Sequence, residues 1–414
     1  MPLSNHPELE LLLCCAASRS EHQDARLQEI LQSPIDWTSV AQLAERHRVT
    51  PLVYRRLNQI APGVLTRPAA QPIASRSFTI AARNLQLTKE LLLLLDLFKA
   101  QSIEAISFKG PLLAISAFGG LAWREFGDLD LLLRPDDLPK ARAILQARGY
   151  RPEIPMDAAQ EAAYLRSEHA FQYIRDEDHL IVELHWRLED RYLKFPFNAR
   201  QIWDSVQTSR LFGRAVPALN PEILFLYLCM HGSKHYWERL EWIACLPAFL
   251  RSQPEMNWRF AIDLAHSLGG TRILHLGLLL AHRLDGTEAT RAPLSLMKPD
   301  PIADDLAETV WSTLFTEELD SAHREIYRFR FYLKSRERLR DRLNIVRSAT
   351  VRIPHPNSRV LESIPLPKSL LFLHYALGPI RRLKKYGVRE LSGILSPKRI
   401  SLCSFRLASQ GGGD

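Results

Sequence analysis

GDLDLLLR, residues 127–134, sets two aspartates two positions apart at the head of an otherwise apolar run. Side chains two apart in a strand point the same way, so Asp128 and Asp130 share one face. Two carboxylates held at that spacing repel each other and lose hydration, and each is destabilised unless a cation neutralises the pair. A divalent metal does this: Mg²⁺ or Mn²⁺ takes one or two carboxylates together with the oxygens of a substrate phosphate.

Outward from that strand the sequence alternates. Upstream, IEAISFKG (103–110) reads as a short buried strand ending in a glycine turn, and PLLAISAFG (111–119) as a helix with Pro111 in its first turn. Lys109 then stands beside free helix N-terminal amides, where a triphosphate can be held. Before it, SFTIAARNLQLTKELLLLLDLFKA (77–100) is the clearest helix, with Ile80, Leu87, Leu91, Leu94 and Phe98 at helical spacing. Downstream, Asp136 or Asp137 begins a helix that Gly149 ends. HLIVELHWRL (179–188) returns as a strand with Glu183 and His185 on one face and Val182, Leu184 and Trp186 on the other. Strands alternating with helices make an α/β core. Glu183 completes a site for metal or draws a proton from an acceptor hydroxyl. The structural alternative pairs Glu183 with Arg124 or Arg187 and makes His185 a satisfied core histidine.

At 414 residues the chain exceeds one typical core, and two or three domains are expected. The boundaries fall as an N-terminal helical region (1–100), the α/β core (101–215), a helical domain (216–323) and a basic extension (324–414). That extension holds 20 Lys and Arg against 6 Asp and Glu, whereas the rest of the chain holds 34 against 40. It contains a basic helix pattern over 328–348 and a short apolar run with a cationic end over 365–387, suited to docking on the protein or to peripheral contact with an anionic membrane surface or nucleic acid. Five cysteines without C-x-x-C spacing indicate a reducing compartment. Glu8 and Glu10 stand where a signal peptide needs positive charge, and the apolar run Leu11 to Ala17 is too short to span a bilayer. A cytoplasmic protein without a transmembrane segment is expected.

In HGSKHYWERLEWI (231–243), His231, Lys234, His235 and Arg239 recur at spacings of three and four, which places them on one helical face. Lys234 and His235 are read there as base or phosphate contacts, and Tyr236, Trp237 and Trp242 as core.

Together, Phe108-Lys109-Gly110-Pro111, Arg124, Gly127-Asp128-Leu129-Asp130-Leu131-Leu132 and Val182-Glu183-Leu184-His185-Trp186 resemble the bacterial nucleotidyltransferase family of largely uncharacterised proteins, distant relatives of DNA polymerase β-type transferases. A helix bearing Asn84, the 231–243 segment and GGTRILHLGLLLAHRL (269–284) extend the resemblance over roughly residues 35–290. The resemblance implies an α/β nucleotidyltransferase-like core, a mixed sheet with flanking helices, embedded between helical N- and C-terminal regions. It implies Asp128 and Asp130 as metal ligands, Glu183 as the third acid, and Lys109, Gly110 and Arg124 on phosphates, with an NTP donor and an unidentified hydroxyl or phosphate acceptor. This chain departs from the pattern at Lys109-Gly110, where the wider superfamily has Gly-Ser or Gly-Gly, in a longer gap to Asp128, and at Cys245, near which members often carry an aspartate. The alternative function is a non-catalytic nucleotide-binding or scaffold protein that uses its basic tail.

Overall fold

In the helix Gln71–Ala100, apolar residues at spacings of three and four turn inward, and Leu87, Leu91, Leu94 and Phe98 are fully buried. They cover one face of a five-stranded mixed sheet. The computed structural model describes residues 6–188, 195, 197–316 and 321–351. Its strands are β1 (Ala105–Ser107), β2 (Asp128–Leu133), β3 (Tyr150–Pro152), β4 (Ala170–Arg175) and β5 (Leu180–His185), in the order β1-β2-β5-β4-β3. Only β2 and β5 run parallel; the other neighbours are antiparallel. A separate hairpin pairs β6 (Gln207–Leu211) with β7 (Arg214–Ala218).

Period-two alternation gives the sheet two different faces. Leu129, Leu131, Leu133, Val182 and Leu184 pack with the long helix and with Leu138, Ala141 and Leu145 of the helix Leu138–Ala147. Each such leucine contributes roughly 1.5–3 kcal/mol by leaving water. On the opposite face Ile106, Phe108 and Leu132 join a larger core built from the N-terminal helices and from the helices Pro221–Lys234, Leu240–Ser252 and Thr271–Asp285. That second face also carries Asp128, Asp130, Glu183 and His185, so the polar side chains lie between sheet and helices.

Two expected helices are interrupted. The 231–243 segment is not one helix: Pro221–Lys234 ends there, and Tyr236 and Trp237 take positive φ before Leu240–Ser252 begins. Burial of Trp237 drives the break. Its ring lies so close over Gly232 that a Cβ at 232 would stand 2.3 Å from it, and its indole donates to Ser233 Oγ at 3.2 Å. Arg239 therefore caps the next helix and does not share a face with His231 and Lys234. The basic 328–348 pattern likewise divides into the helices Ser321–Ser335 and Leu339–Val351. Buried Arg336 sits in the break, over the Phe195 ring at 4.0 Å and 3.4 Å from Asp341.

Contacts divide the chain into two units: residues 1–319 with 331–346, and residues 320–330 with 347–414. The described stretches of the second unit are helical, and the apolar and cationic run 365–387 lies outside the described residues. No helix among the described residues is long and apolar enough to cross a membrane.

Candidate active site

Parallel pairing of β2 with β5 sets Asp130 directly opposite Glu183, with Asp128 opposite Ile181 and Leu132 opposite His185. The facing carboxylates share one imidazole. His185 Nε2 lies 3.2 Å from Asp130 Oδ1 and 3.1 Å from Glu183 Oε2. Lys109 reaches the same Asp130 oxygen, with Nζ at 2.8 Å. It is placed there by Gly110, whose φ of +54° starts the helix Gly110–Phe118 against the Asp128 carbonyl; a side chain at 110 would be strained in that conformation. Part of the positive charge that the paired carboxylates demand is thus supplied within the chain, by Lys109. The Asp130 side chain is 1% exposed and that of Glu183 25%, so only the glutamate reaches solvent appreciably.

These contacts sort the protonation states. Burial would raise the Asp130 carboxyl, but Lys109 and the His185 hydrogen bond hold it well below the usual range. Burial likewise opposes the charge on Glu183, and His185 outweighs it. Asp128 is pushed up to about 6 by burial and by the charge of Asp130. His185 would be lowered by burial, but the two carboxylates lift it to about 9. Lys109 loses hydration too, yet Asp130, Tyr227, Asp128 and Glu183 keep it charged. Near neutrality three carboxylates face two cations, leaving about one negative charge uncompensated.

Arg124 lies at the end of the loop before β2. The fully buried Asn84 amide donates to the carbonyls of Leu121 at 2.6 Å and Arg124 at 2.7 Å, fixing that loop on the long helix. Arg124 does not pair with Glu183; its guanidinium sits 3.1 Å from Glu241 and donates to Cys245 Sγ at 3.4 Å. Burial opposes its charge, but Cys245 and Glu241 outweigh it. One terminal nitrogen, Nη1, remains buried without a hydrogen-bond partner. Arg187 turns to the Glu168 carbonyl.

The helix Pro221–Lys234 forms the wall facing Lys109. Tyr227 lies under the Lys109 ammonium, 5.6 Å from ring centre to Nζ, and Phe108 meets both Tyr227 and His185 edge-on. Burial and the charges of Lys109, His235, Lys234 and Arg124 hold His231 neutral. Lys234 ends this helix and His235 caps it, and the charge of Lys234 also bears on half-buried His169, whose ring is 5.5 Å from that of His185.

Whether the residues suit a metal is decided by their donor atoms. Asp130, Glu183 and His185 each offer one donor atom, all within 4.8 Å of one another. Asp130 Oδ2 is buried with no hydrogen-bond partner, a lone pair set spending desolvation for nothing unless a cation takes it. The donor set fits a divalent ion. From the sequence His185 reads as a core histidine. It is buried as such a residue would be, but its partners are the two acids; its place two residues after Glu183 on the same strand face was the available signal.

A family model described as "Uncharacterised nucleotidyltransferase" matches residues 33–286, more than half of the chain and the whole of the sheet. No curated protein and no solved structure matches it.

Proposed function

The chain belongs to the uncharacterised nucleotidyltransferase family, and from that premise we propose that it moves a nucleotidyl group from an NTP to a hydroxyl or phosphate acceptor, with release of pyrophosphate. The observation that carries this reading is the register of β2 on β5, which sets Asp130 against Glu183 with Asp128 on the same face and an orphaned carboxylate oxygen in the cluster. Mg²⁺ or Mn²⁺ held by Asp128, Asp130 and Glu183, with His185 as a nitrogen donor once the ion displaces its proton, would neutralise the triphosphate and stabilise the leaving pyrophosphate. Lys109, the amide of Gly110 and Arg124 bind phosphate oxygens at the helix N-terminus. Lys234 and His235 contact the donor from the opposite wall. Glu183, more open to solvent than the facing Asp130, takes the acceptor proton as the acceptor oxygen bonds to the α-phosphorus and the bond to pyrophosphate breaks.

The site residues fall in the central segment 101–215 and in the helical segment that follows it. Residues 324–414 serve contact with an anionic surface in a cytoplasmic protein. A second reading has its own observation. Lys109 and His185 already satisfy much of the acidic cluster, as in a protein that keeps the fold and binds nucleotide or serves as a scaffold without transfer. Incubation with each α-³²P-labelled NTP and Mg²⁺ separates the two. Release of unlabelled pyrophosphate with label retained on an acceptor, lost in Glu183→Gln, supports transfer; nucleotide binding without turnover favours the second reading.

A further inference from the structure

Beyond Lys109, the facing wall carries a run of rings, of which the reading above uses only His235. His231, one turn after Tyr227, stacks on it at 5.8 Å and 26°. His235 meets His231 edge-on at 4.7 Å, and Trp242 stacks on His235 at 5.0 Å and 25°. Arg239 lies over the Trp242 ring at 5.3 Å. The chain reversal at Tyr236 and Trp237 makes this arrangement, because it brings the start of the next helix back beside His235. Trp237, at the turn, is wholly buried, whereas His231, His235, Trp242 and Arg239 are only half-buried. Two tryptophans five residues apart have separated into a core residue and a wall residue.

We propose that the rings of His231, His235 and Trp242 form the shelf on which the nucleobase of the donor NTP stacks, and that the shelf favours purine over pyrimidine triphosphates. The inference rests on the nucleotidyltransferase reading and adds the base to it. The shelf continues from the cationic end of the site: Tyr227 touches Lys109, and the charges of Lys109 and Arg124 both bear on His231. Acidic cluster, cations and rings thus follow one another in the order of metal, phosphates and base along a bound nucleotide. Stacking on flat rings accepts any base, and its strength grows with the ring area overlapped, so two-ring bases gain more. Arg239 over Trp242 adds a cation that an electron-rich base completes.

Calorimetric titration of the full chain with Mg²⁺–ATP, Mg²⁺–CTP and Mg²⁺–tripolyphosphate tests the shelf apart from the rest of the site. Wild type is expected to bind ATP about tenfold more tightly than CTP or tripolyphosphate. Trp242→Leu is expected to lose that tenfold for ATP and to keep its tripolyphosphate affinity, and Trp242→Phe to recover most of it. His231→Ala, one ring further along the same run, carries the same expectation should the tryptophan variant fail to fold. Equal wild-type affinities for ATP, CTP and tripolyphosphate, or folded variants that bind ATP as wild type does, overturn the shelf and leave the phosphate site standing. Binding of none of the three to wild type removes the nucleotidyltransferase reading itself, and the shelf with it.

Discussion

Two clusters of charged side chains lean on the same sheet, and they treat their carboxylates in opposite ways. In one, Glu90 of the long helix receives Arg148 Nε and Nη2 at 2.9 Å each and Arg175 Nη1 and Nη2 at 3.2 and 3.3 Å. Arg175 also grips Asp178 at 2.9 and 2.8 Å. Two acids meet two arginines with every oxygen engaged, and although burial opposes it, Arg148 and Arg175 hold Glu90 below its ordinary range. In the other, Asp128, Asp130 and Glu183 share Lys109 and His185, Asp130 Oδ2 has no hydrogen-bond partner, and Asp128 is pushed up to about 6. A saturated cluster is complete without a ligand. A cluster left short of positive charge is a candidate place for one.

The sharpest way to break that contrast is through activity. Asp128→Asn is expected to lower nucleotidyl transfer by at least about a thousandfold, ~4 kcal/mol in the barrier, because the isosteric amide keeps the packing and loses the anion. Glu90→Gln should leave turnover per folded molecule near wild type. Measured rates of both variants that fall together would erase the distinction between the clusters.

Stability should show the reverse pattern. Removing the Glu90 charge leaves Arg148 and Arg175 without their shared partner, and denaturant unfolding of Glu90→Gln is expected to show a loss of about 4 kcal/mol. Asp128→Asn relieves repulsion instead, and its stability without metal should equal or slightly exceed that of wild type.

Histidines extend the contrast to pH. His185 sits between two acids and is lifted; His47 is fully buried, accepts only the Leu240 amide at Nδ1 at 3.2 Å, and is pushed down to about 4 by burial and the charges of Arg46 and Arg239. The folded state therefore needs neutral His47, and the unfolded chain takes up the proton first. Its contribution is full above pH 6.5 and is lost as pH falls through that value toward about 4, by up to about 3 kcal/mol. Unfolding measured across that window should show a steeper acid loss in wild type than in His47→Gln, which keeps an acceptor and does not titrate. Parallel profiles would remove His47 from the account of acid stability.

Asn84 gives the smallest effect and ties the two regions, since its helix carries Glu90 and its amide holds the loop of Arg124. Asn84→Ala strands two carbonyls and is expected to cost about 2 kcal/mol and to raise KM for the NTP more than it lowers kcat. An unchanged KM would show that Arg124 is positioned without it.

How much of this was legible in the sequence depended on whether the signal was local. β2, β5 and the long helix stand out because their periods of two and of three to four are complete within a few residues, and the same period puts Asp128 with Asp130 and Glu183 with His185. β3 and β4 escaped notice: β3 is three residues long, and in β4 only Phe171 and Tyr173 are buried, too short an alternation to stand out. The sheet order sets β5 beside β2 across some fifty intervening residues, a pairing that no spacing encodes. The partners of Arg124, Glu241 and Cys245, lie more than a hundred residues downstream, and the Lys109–Asp130 pair exists only once the sheet has formed. The break after Lys234 is a tertiary override, since burial of Trp237 over Gly232 outweighs a helical charge pattern.

Binding of metal and nucleotide by the unsaturated cluster is tested most directly by the melting temperatures of wild type and Asp128→Asn in EDTA, in Mg²⁺, and in Mg²⁺ with the best-binding NTP. In EDTA the variant should melt with or slightly above wild type. With Mg²⁺–NTP at a hundred times its Kd, wild type should gain about 2.7 kcal/mol while the variant gains little. A variant that responds to Mg²⁺–NTP as wild type does would contradict the claim and place the nucleotide site elsewhere in the chain.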